Sequence, residues 1–218
     1  MDDNKLAKNR QNFWRHVSSN YYTKNTSQAK DRRGLIAQLV GLNKVESLLE
    51  IGCNSGGNLL AIADRSANPK NIVGIDISED AIRYGREVEK NLANLLVGSA
   101  YDLDRFADKS FDLVFSCTCL IHIPSSKIPD ILKEMIRIAK KYVINIETNG
   151  ENAIRSFDGE IPHSFIHNFK NMYADAGFNV DVENVSTLLG GQTTGGADHM
   201  VICNLTNKKF KLAPSGSK

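Results

Sequence analysis

Val45-Glu46-Ser47-Leu48-Leu49-Glu50-Ile51-Gly52-Cys53-Asn54-Ser55-Gly56-Gly57-Asn58-Leu59-Leu60 is the stretch that decides the fold. The apolar run Leu48-Leu49-Glu50-Ile51 stops at Gly52, small residues follow, and a helical apolar pattern opens at Leu59. That order reads as a buried strand, a tight turn and a helix start. Glycine lets the backbone take positive φ and lets a ligand approach the main chain. The free amides of a helix start favour an anionic or polar ligand group. Glu50 is an acid at the strand end beside that turn, and Asn54 interrupts the glycines with the residue type that best tolerates the left-handed region.

Downstream the pattern repeats. Asn71–Ile77 reads as a second buried strand ending at Asp76, with Ser78 as helix N-cap and Glu79 and Asp80 in the first turn. Asp76 follows the glycine loop by about 20 residues, where a carboxylate can accept both hydrogen bonds of a ribose diol. Asn94–Val97 reads as a third strand followed by Gly98-Ser99-Ala100-Tyr101-Asp102-Leu103. Lys109–Ser116 contains the fourth, Phe111-Asp112-Leu113-Val114, and leads to Cys117-Thr118-Cys119-Leu120-Ile121-His122-Ile123-Pro124. In doubly wound sheets ligands sit beyond the carboxyl ends of strands, so the backbone from Ser116 to Thr118 is expected to line a ligand, with Leu120 and Ile121 packed nearby. His122 is either a satisfied structural residue or a general base or substrate hydrogen-bond partner. Ser125–Lys140 has the apolar spacing of an amphipathic helix, and Tyr142–Ile146 is a fifth strand ending at Glu147, expected to face the pocket.

The flanks are less regular. Residues 1–44 read as two or three helices with Phe13, Trp14, Val17 and Tyr21 on one face, either packed on the sheet or forming a lid. Lys24, Lys30, Arg32 and Arg33 form a loose basic cluster, read as a solvated face or as a site for an anionic substrate group. Glu151–Pro162 reads as a long polar loop holding Arg155. His163, Phe165, His167 and Phe169 alternate into a helix closed by Gly177, and Asn179–Val185 alternates like an edge strand. A Gly-rich stretch with Gly190, Gly191, Gly195 and Gly196 then joins that strand to one from His199 to Thr206. Residues 207–218 read as a flexible tail.

Composition narrows the class. The chain of 218 residues, 41% hydrophobic and 24% charged with a formal net charge of +2, suits one decorated α/β domain. Near-neutral charge gives no pull toward nucleic acid or anionic membrane, and no apolar run approaches the ~18 residues of a membrane helix. Cys53, Cys117, Cys119 and Cys203 show no zinc spacing, so no metal is expected and free thiols in a reducing, cytoplasmic setting are.

Glu50-x-Gly52-x-Asn54-x-Gly56 resembles the first motif of class I S-adenosylmethionine (SAM) methyltransferases, an acid followed by three alternating glycines. The segment after Gly98 and the Ser-Phe-Asp-Leu-Val strand at Ser110–Val114 resemble later motifs of that family, in its order and spacing. The resemblance implies a Rossmann-like, doubly wound, mostly parallel seven-stranded sheet with a C-terminal antiparallel hairpin and an N-terminal helical lid. It divides the chain into 1–44 (cap), 45–206 (methyltransferase domain) and 207–218 (tail). By the same resemblance SAM is the cofactor. Glu50, Gly52, Cys53, Asn54 and Gly56 would meet its methionine part, and Asp76 with Ile77 its ribose. Ser99, Ala100 and Tyr101 would meet the adenine, and Ser116 and Cys117 would line the remainder. The sequence departs from the family at Asn54 and at Ser99, where the family has an acid; Asp102 either takes that acid's part or starts the next turn. A finer resemblance, carried by Glu50–Leu59, Leu120–Pro124 and Tyr142–Glu147, is to methylases associated with pseudaminic-type sugar biosynthesis.

The expected activity is methyl transfer to an O or N atom of a small polar metabolite, a sugar, amine or peptide. His122 is the first candidate base, followed by Glu147, His163 and His167. The expected partner is that small molecule, not nucleic acid or membrane, with a homodimer left open. The alternatives are an inactive SAM-binding scaffold, which the departures at Asn54 and Ser99 would suit, and an NAD-dependent Rossmann oxidoreductase, which would need glycine at position 54.

Overall fold

The computed structural model of the chain describes residues 2–16, 27–66, 69–88, 94–158, 161–189 and 199–212. Its centre is β1 (Ser47–Ile51), where Leu48, Leu49 and Ile51 are fully buried. Each such side chain contributes ~1.5–3 kcal/mol by leaving water. Both faces of the strand are covered, which explains a continuous apolar run rather than an alternating one. The chain then alternates: α3 (Gly57–Arg65), β2 (Asn71–Asp76), α4 (Glu79–Val88), β3 (Leu95–Val97), β4 (Phe111–Cys117), α5 (Ile128–Ile138) and β5 (Ala139–Glu147). Ser78 caps α4, its hydroxyl accepting from the Ala81 amide at 3.2 Å.

The seven-stranded sheet has the order β3-β2-β1-β4-β5-β9-β8. Strands β3, β2, β1, β4 and β5 are mutually parallel, while β9 (His199–Asn204) runs antiparallel to both β5 and β8 (Val180–Asn184). The direction of winding reverses between β1 and β4, and a crevice opens at the carboxyl ends of strands at such a reversal. Asp112 ties the opposite end of these strands. It accepts from the Glu46 amide at 3.0 Å and from Lys141 Nζ at 2.9 Å. The Gly-rich stretch before β9 and the predicted positions Val17, Tyr21 and Lys24 lie outside the described residues.

Three expectations about the flanks are corrected. Residues expected as a loop after β5 instead form β6 (Ala153–Asp158), paired antiparallel with β7 (Ile161–Ile166) as a separate two-stranded hairpin. Both strands are six residues long, too short for their period to stand out. Of the N-terminal helices, α1 (Asp3–Arg15) and α2 (Ser27–Leu42) part company. Leu35, Ile36, Leu39 and Val40 of α2 are buried in the same core cluster as Leu48, Leu59 and Ile62, so α2 is a layer of the domain and not a lid. The expected tail is held as far as Leu212. Phe210 is buried with its ring 4.9 Å from that of Tyr142, and Lys211 exchanges backbone hydrogen bonds with the Asn43 amide side chain at 2.7 and 2.9 Å.

Candidate active site

The turn after β1 is built by hydrogen bonds that the sequence does not display. Gly52 has φ +71°, and its amide and that of Cys53 both donate to the Ile75 carbonyl at 2.8 and 2.9 Å. A Cβ at Gly52 would stand 2.2 Å from Cys119 Sγ, so position 52 is closed to larger residues on two counts. Asn54, at φ +53°, meets the turn's demand for the left-handed region and caps it, its side-chain oxygen accepting from the Ser55 amide at 2.6 Å. Asp76 anchors the other side: Oδ2 accepts from the Asn54 amide at 2.8 Å and Oδ1 from the Ser78 amide at 2.9 Å. Each oxygen keeps a second lone pair.

Glu50 is 1% exposed, and one of its oxygens accepts from Asn58 Nδ2 at 2.5 Å. The other, Oε2, is buried with no hydrogen-bond partner among the described residues. Burial pushes this carboxyl up to about 8, against the pull of the Asn58 bond and of Arg33. The Arg33 guanidinium itself lies over Gly57, where a Cβ would meet its Nη2 at 2.5 Å. Absence of a side chain at 57 is therefore what admits this cation to the loop.

Beyond β3 the Ser99 amide donates to Asp102 Oδ2 at 3.0 Å, and the Ser99 hydroxyl accepts from the Tyr101 amide at 3.3 Å. Of its two alternatives, Asp102 does the second: it closes the turn and stays outside the cavity, while Ser99 lines it.

The segment after β4 carries a strained residue. Thr118 sits at φ +53°, unfavourable for a β-branched side chain, and is held by its amide donating to the Ile146 carbonyl at 3.0 Å. Glu147 explains the rest of this loop. It is fully buried, and it accepts from the amides of Cys119 and Leu120 at 3.1 Å and of Ile121 at 3.4 Å. Burial raises its carboxyl to about 7 despite those bonds. The expectation that Glu147 faces the pocket is corrected. Its carboxylate is turned away from the cavity and ties down the backbone that leads to His122. Burial likewise pushes Cys117 up to about 12 and Cys53 and Cys119 well above the ordinary thiol range, which keeps all three thiols neutral at pH 7.

The three histidines separate by their partners. His167 is fully buried, donating from Nε2 to the Leu120 carbonyl at 2.9 Å and accepting at Nδ1 from the Ser125 hydroxyl at 3.0 Å. Both nitrogens are committed to the fold, and it does not line the cavity. His163 Nδ1 lies 2.9 Å from Arg10 Nη1; a guanidinium only donates, so this nitrogen accepts and bears no proton. His122 Nδ1 lies 3.3 Å from the His163 carbonyl, which only accepts, so Nδ1 carries the proton and Nε2 keeps a lone pair. Burial lowers His122 to about 4, with Arg10 and Arg155 adding to the effect, so the ring is neutral at pH 7. The Trp14 ring packs on it at 4.3 Å between centroids, and the His163 ring lies 5.2 Å away.

These pieces enclose a cavity of about 510 Å³, a volume within the usual range for small-ligand sites. Of the predicted residues, Glu50, Gly52, Cys53, Asn54, Asp76, Ile77, Ser99, Ala100, Tyr101, Cys117 and His122 line it together. Gly56, Ser116, Glu147, His163 and His167 do not. Gly56 is the left-handed N-cap of α3 at φ +87°. The Ser116 hydroxyl is turned inward and accepts from Asn145 Nδ2 at 3.1 Å. The reading missed Arg10, Gln11 and Asn58, all of which line the cavity. Asn58 was legible as a polar residue in the first helical turn. Arg10 and Gln11 carried no signal, because nothing local shows which face of an amphipathic helix meets a distant cleft.

Residues 48–142 match the family described as a methyltransferase domain. The demethylmenaquinone methyltransferase of Staphylococcus carnosus is 30% identical over 147 residues, which are 64% of this chain and 60% of that protein. The chain thus spans less than two thirds of the length of that relative. Among solved structures, the Haemonchus contortus phosphoethanolamine N-methyltransferase, in complex with phosphoethanolamine and S-adenosylhomocysteine, superposes with TM-score 0.66 at 16% identity. It covers 97% of this chain and 52% of that one. The magnesium protoporphyrin IX methyltransferase of Synechocystis, with bound SAM, gives 0.58 at 16% identity over 94% and 95%. Residues 48–142 thus resemble a methyltransferase domain, and both superposed structures share the fold. Among the described residues no helix is long and apolar enough to cross a membrane.

Proposed function

We propose that the whole chain is an active methyltransferase that moves the methyl group of SAM to an O or N atom of a small polar metabolite, with a sugar as the first class to test. The observation that supports it most directly is the pairing, in one cavity, of an unsatisfied buried acid at Glu50 with the neutral imidazole of His122. The residues suit the cofactor. Glu50 Oε2 lacks a donor that an α-ammonium would supply, and Asp76 has lone pairs left for ribose hydroxyls. The Gly52–Ser55 turn and the Ser99–Tyr101 segment, which line the cavity, would enclose the remainder.

SAM supplies a methyl group already activated on a sulfonium. What the chain must add is a held nucleophile, a dry site and, for an alcohol, a proton acceptor. Positioning alone is worth ~7–11 kcal/mol of barrier. His122 would accept the proton at Nε2, the atom its own Nδ1 bond leaves unprotonated. Trp14, Gln11 and Arg10 of α1 would close the acceptor end, and Arg32 and Arg33 of α2 line the cavity as well. The inactive-scaffold reading loses ground because Asn54 completes the turn that glycine would make. The sugar class is supported by the finer resemblance in the sequence and by an aromatic face set among polar side chains.

The test is release of S-adenosylhomocysteine from the purified chain across pools of sugars, amines and peptides. Turnover with a sugar acceptor is expected. Tight SAM binding with no turnover on any pool would instead favour the scaffold.

A further inference from the structure

Arg10 is a buried cation at the acceptor end of the cavity, and closing that end does not by itself call for a charge. It is 5% exposed, lines the cavity, and stacks 5.1 Å from the Phe13 ring. Its Nη1 donates to His163 Nδ1, which fixes the guanidinium beside the His122–Trp14 pair. Its Nε is buried without a hydrogen-bond partner, and among the described residues no carboxylate forms an ion pair with it. A buried cation whose protein partner is a neutral imidazole is costly unless an anion meets it. The cost persists here because α1 is docked by its other end, where Ser126 bonds Asp3 and Lys127 bonds Asn4.

A second cation strengthens the field. Arg155 of the β6–β7 hairpin is fixed to Thr148 Oγ1 at 2.8 Å, and its charge, like that of Arg10, is felt at the His122 ring. The carboxylates at the strand ends do not offset them: Glu147 is spent on three amides facing away, and Glu50 and Asp76 belong to the opposite end of the cavity.

We propose that the acceptor is anionic, and that Arg10 binds its carboxylate or phosphate group through the guanidinium Nη atoms, holding the acceptor against Trp14 with its nucleophile at His122. This deepens, and rests on, the methyltransferase reading. Guanidinium forks suit the oxygens of either anion, and the anchored group would orient a molecule otherwise bound by hydroxyls alone.

Trp14 is the single tryptophan of the chain, so its fluorescence reports this end of the cavity. With the protein saturated by S-adenosylhomocysteine, D-glucuronate, D-glucose 6-phosphate and neutral D-glucose are titrated in parallel. At least one anionic sugar is expected to shift the emission saturably, with a Kd at least tenfold below that of glucose. Which anion binds tighter tells carboxylate from phosphate. Arg10→Met should remove the tenfold preference and Arg10→Lys keep part of it, both judged after thermal melting shows them folded. Equal binding of all three sugars, or no saturable shift with either anion, overturns the proposal on the wild-type protein alone. Calorimetric titration with SAM runs alongside: failure there overturns the methyltransferase reading and leaves the anion result to be scored by itself.

Discussion

The two ends of the cavity are made differently. The end formed by β1, β2 and β3 is a backbone construction: positive-φ turns at Gly52, Asn54 and Gly56, amides bonded to the Ile75 carbonyl and to Asp76, and a Ser99 turn closed by Asp102. Its parts lie within about fifty residues of one another, and parallel strands bring them together at the winding reversal. The end around His122 is a side-chain construction. Arg10 and His163 meet across 153 residues, and Trp14, His122 and the β6–β7 hairpin come from three separate segments. A site divided this way can keep one cofactor end while its acceptor end changes, because substitutions in α1 or the hairpin leave the sheet's hydrogen bonds untouched.

Three measurements bear on whether the two ends act separately. His122→Ala is expected to lower kcat by ~10²–10⁴-fold, the usual worth of a general base, with SAM affinity within about twofold of wild type by calorimetry. Full activity in the variant would remove His122 from the chemistry, and a matching loss of SAM affinity would mean that the two ends are not separable.

Asp76→Ala is the reciprocal case. It removes the acceptor for the Asn54 and Ser78 amides as well as the proposed ribose contact. SAM affinity should fall ~10–100-fold, and thermal unfolding should come earlier by the equivalent of ~1–3 kcal/mol, the cost of unsatisfied buried donors. Unchanged affinity would refute the ribose assignment.

The smallest effect is a proton count. Glu50, raised by burial to about 8, holds a proton at pH 7 in the free protein. In the unfolded chain it would ionise near the ordinary value of 4.5, so the folded state binds the extra proton between the two values. This group therefore lowers stability as pH rises from about 4.5 to 8. A cation docked on Oε2 would favour the carboxylate, so SAM binding at pH 7 should release a fraction of a proton, read as a dependence of binding heat on buffer ionisation enthalpy. At pH 9 Glu50 is already ionised in the free protein, so its share of the release should be gone. His122 runs the other way: lowered to about 4, it stabilises the fold fully above its unfolded value of 6.5, and that contribution is lost as pH falls from there toward 4. It should thus place no inflection near 6.5 on the rate profile.

Much of the cofactor end was legible in the residues. Gly52, Asn54 and Asp76 follow runs of apolar residues that can only be buried strands, and chemistry placed just after such a run is placed at a sheet edge. The errors there were of direction. Ser116 and Glu147 were put correctly at strand ends, but a strand's alternation sends one side chain to the cleft and the next into the core, and Glu147 found three inward amides. The acceptor end was legible only in part: His122 was named, Arg10 was not, and His163 and His167 turned out to bond the fold rather than line the cavity.

The residues alone were enough for the alternating strands and helices and the turns that follow the strands, because apolar runs, glycines and caps act over a few residues and each carries its own physical cause. Only the tertiary structure decided that α2 belongs to the core, that α1 roofs the cleft, that residues after Glu151 pair as strands, and which tautomer His122 holds. Those outcomes depend on which faces meet after the chain has closed on itself, and contacts across more than a hundred residues leave no period or spacing in the linear order.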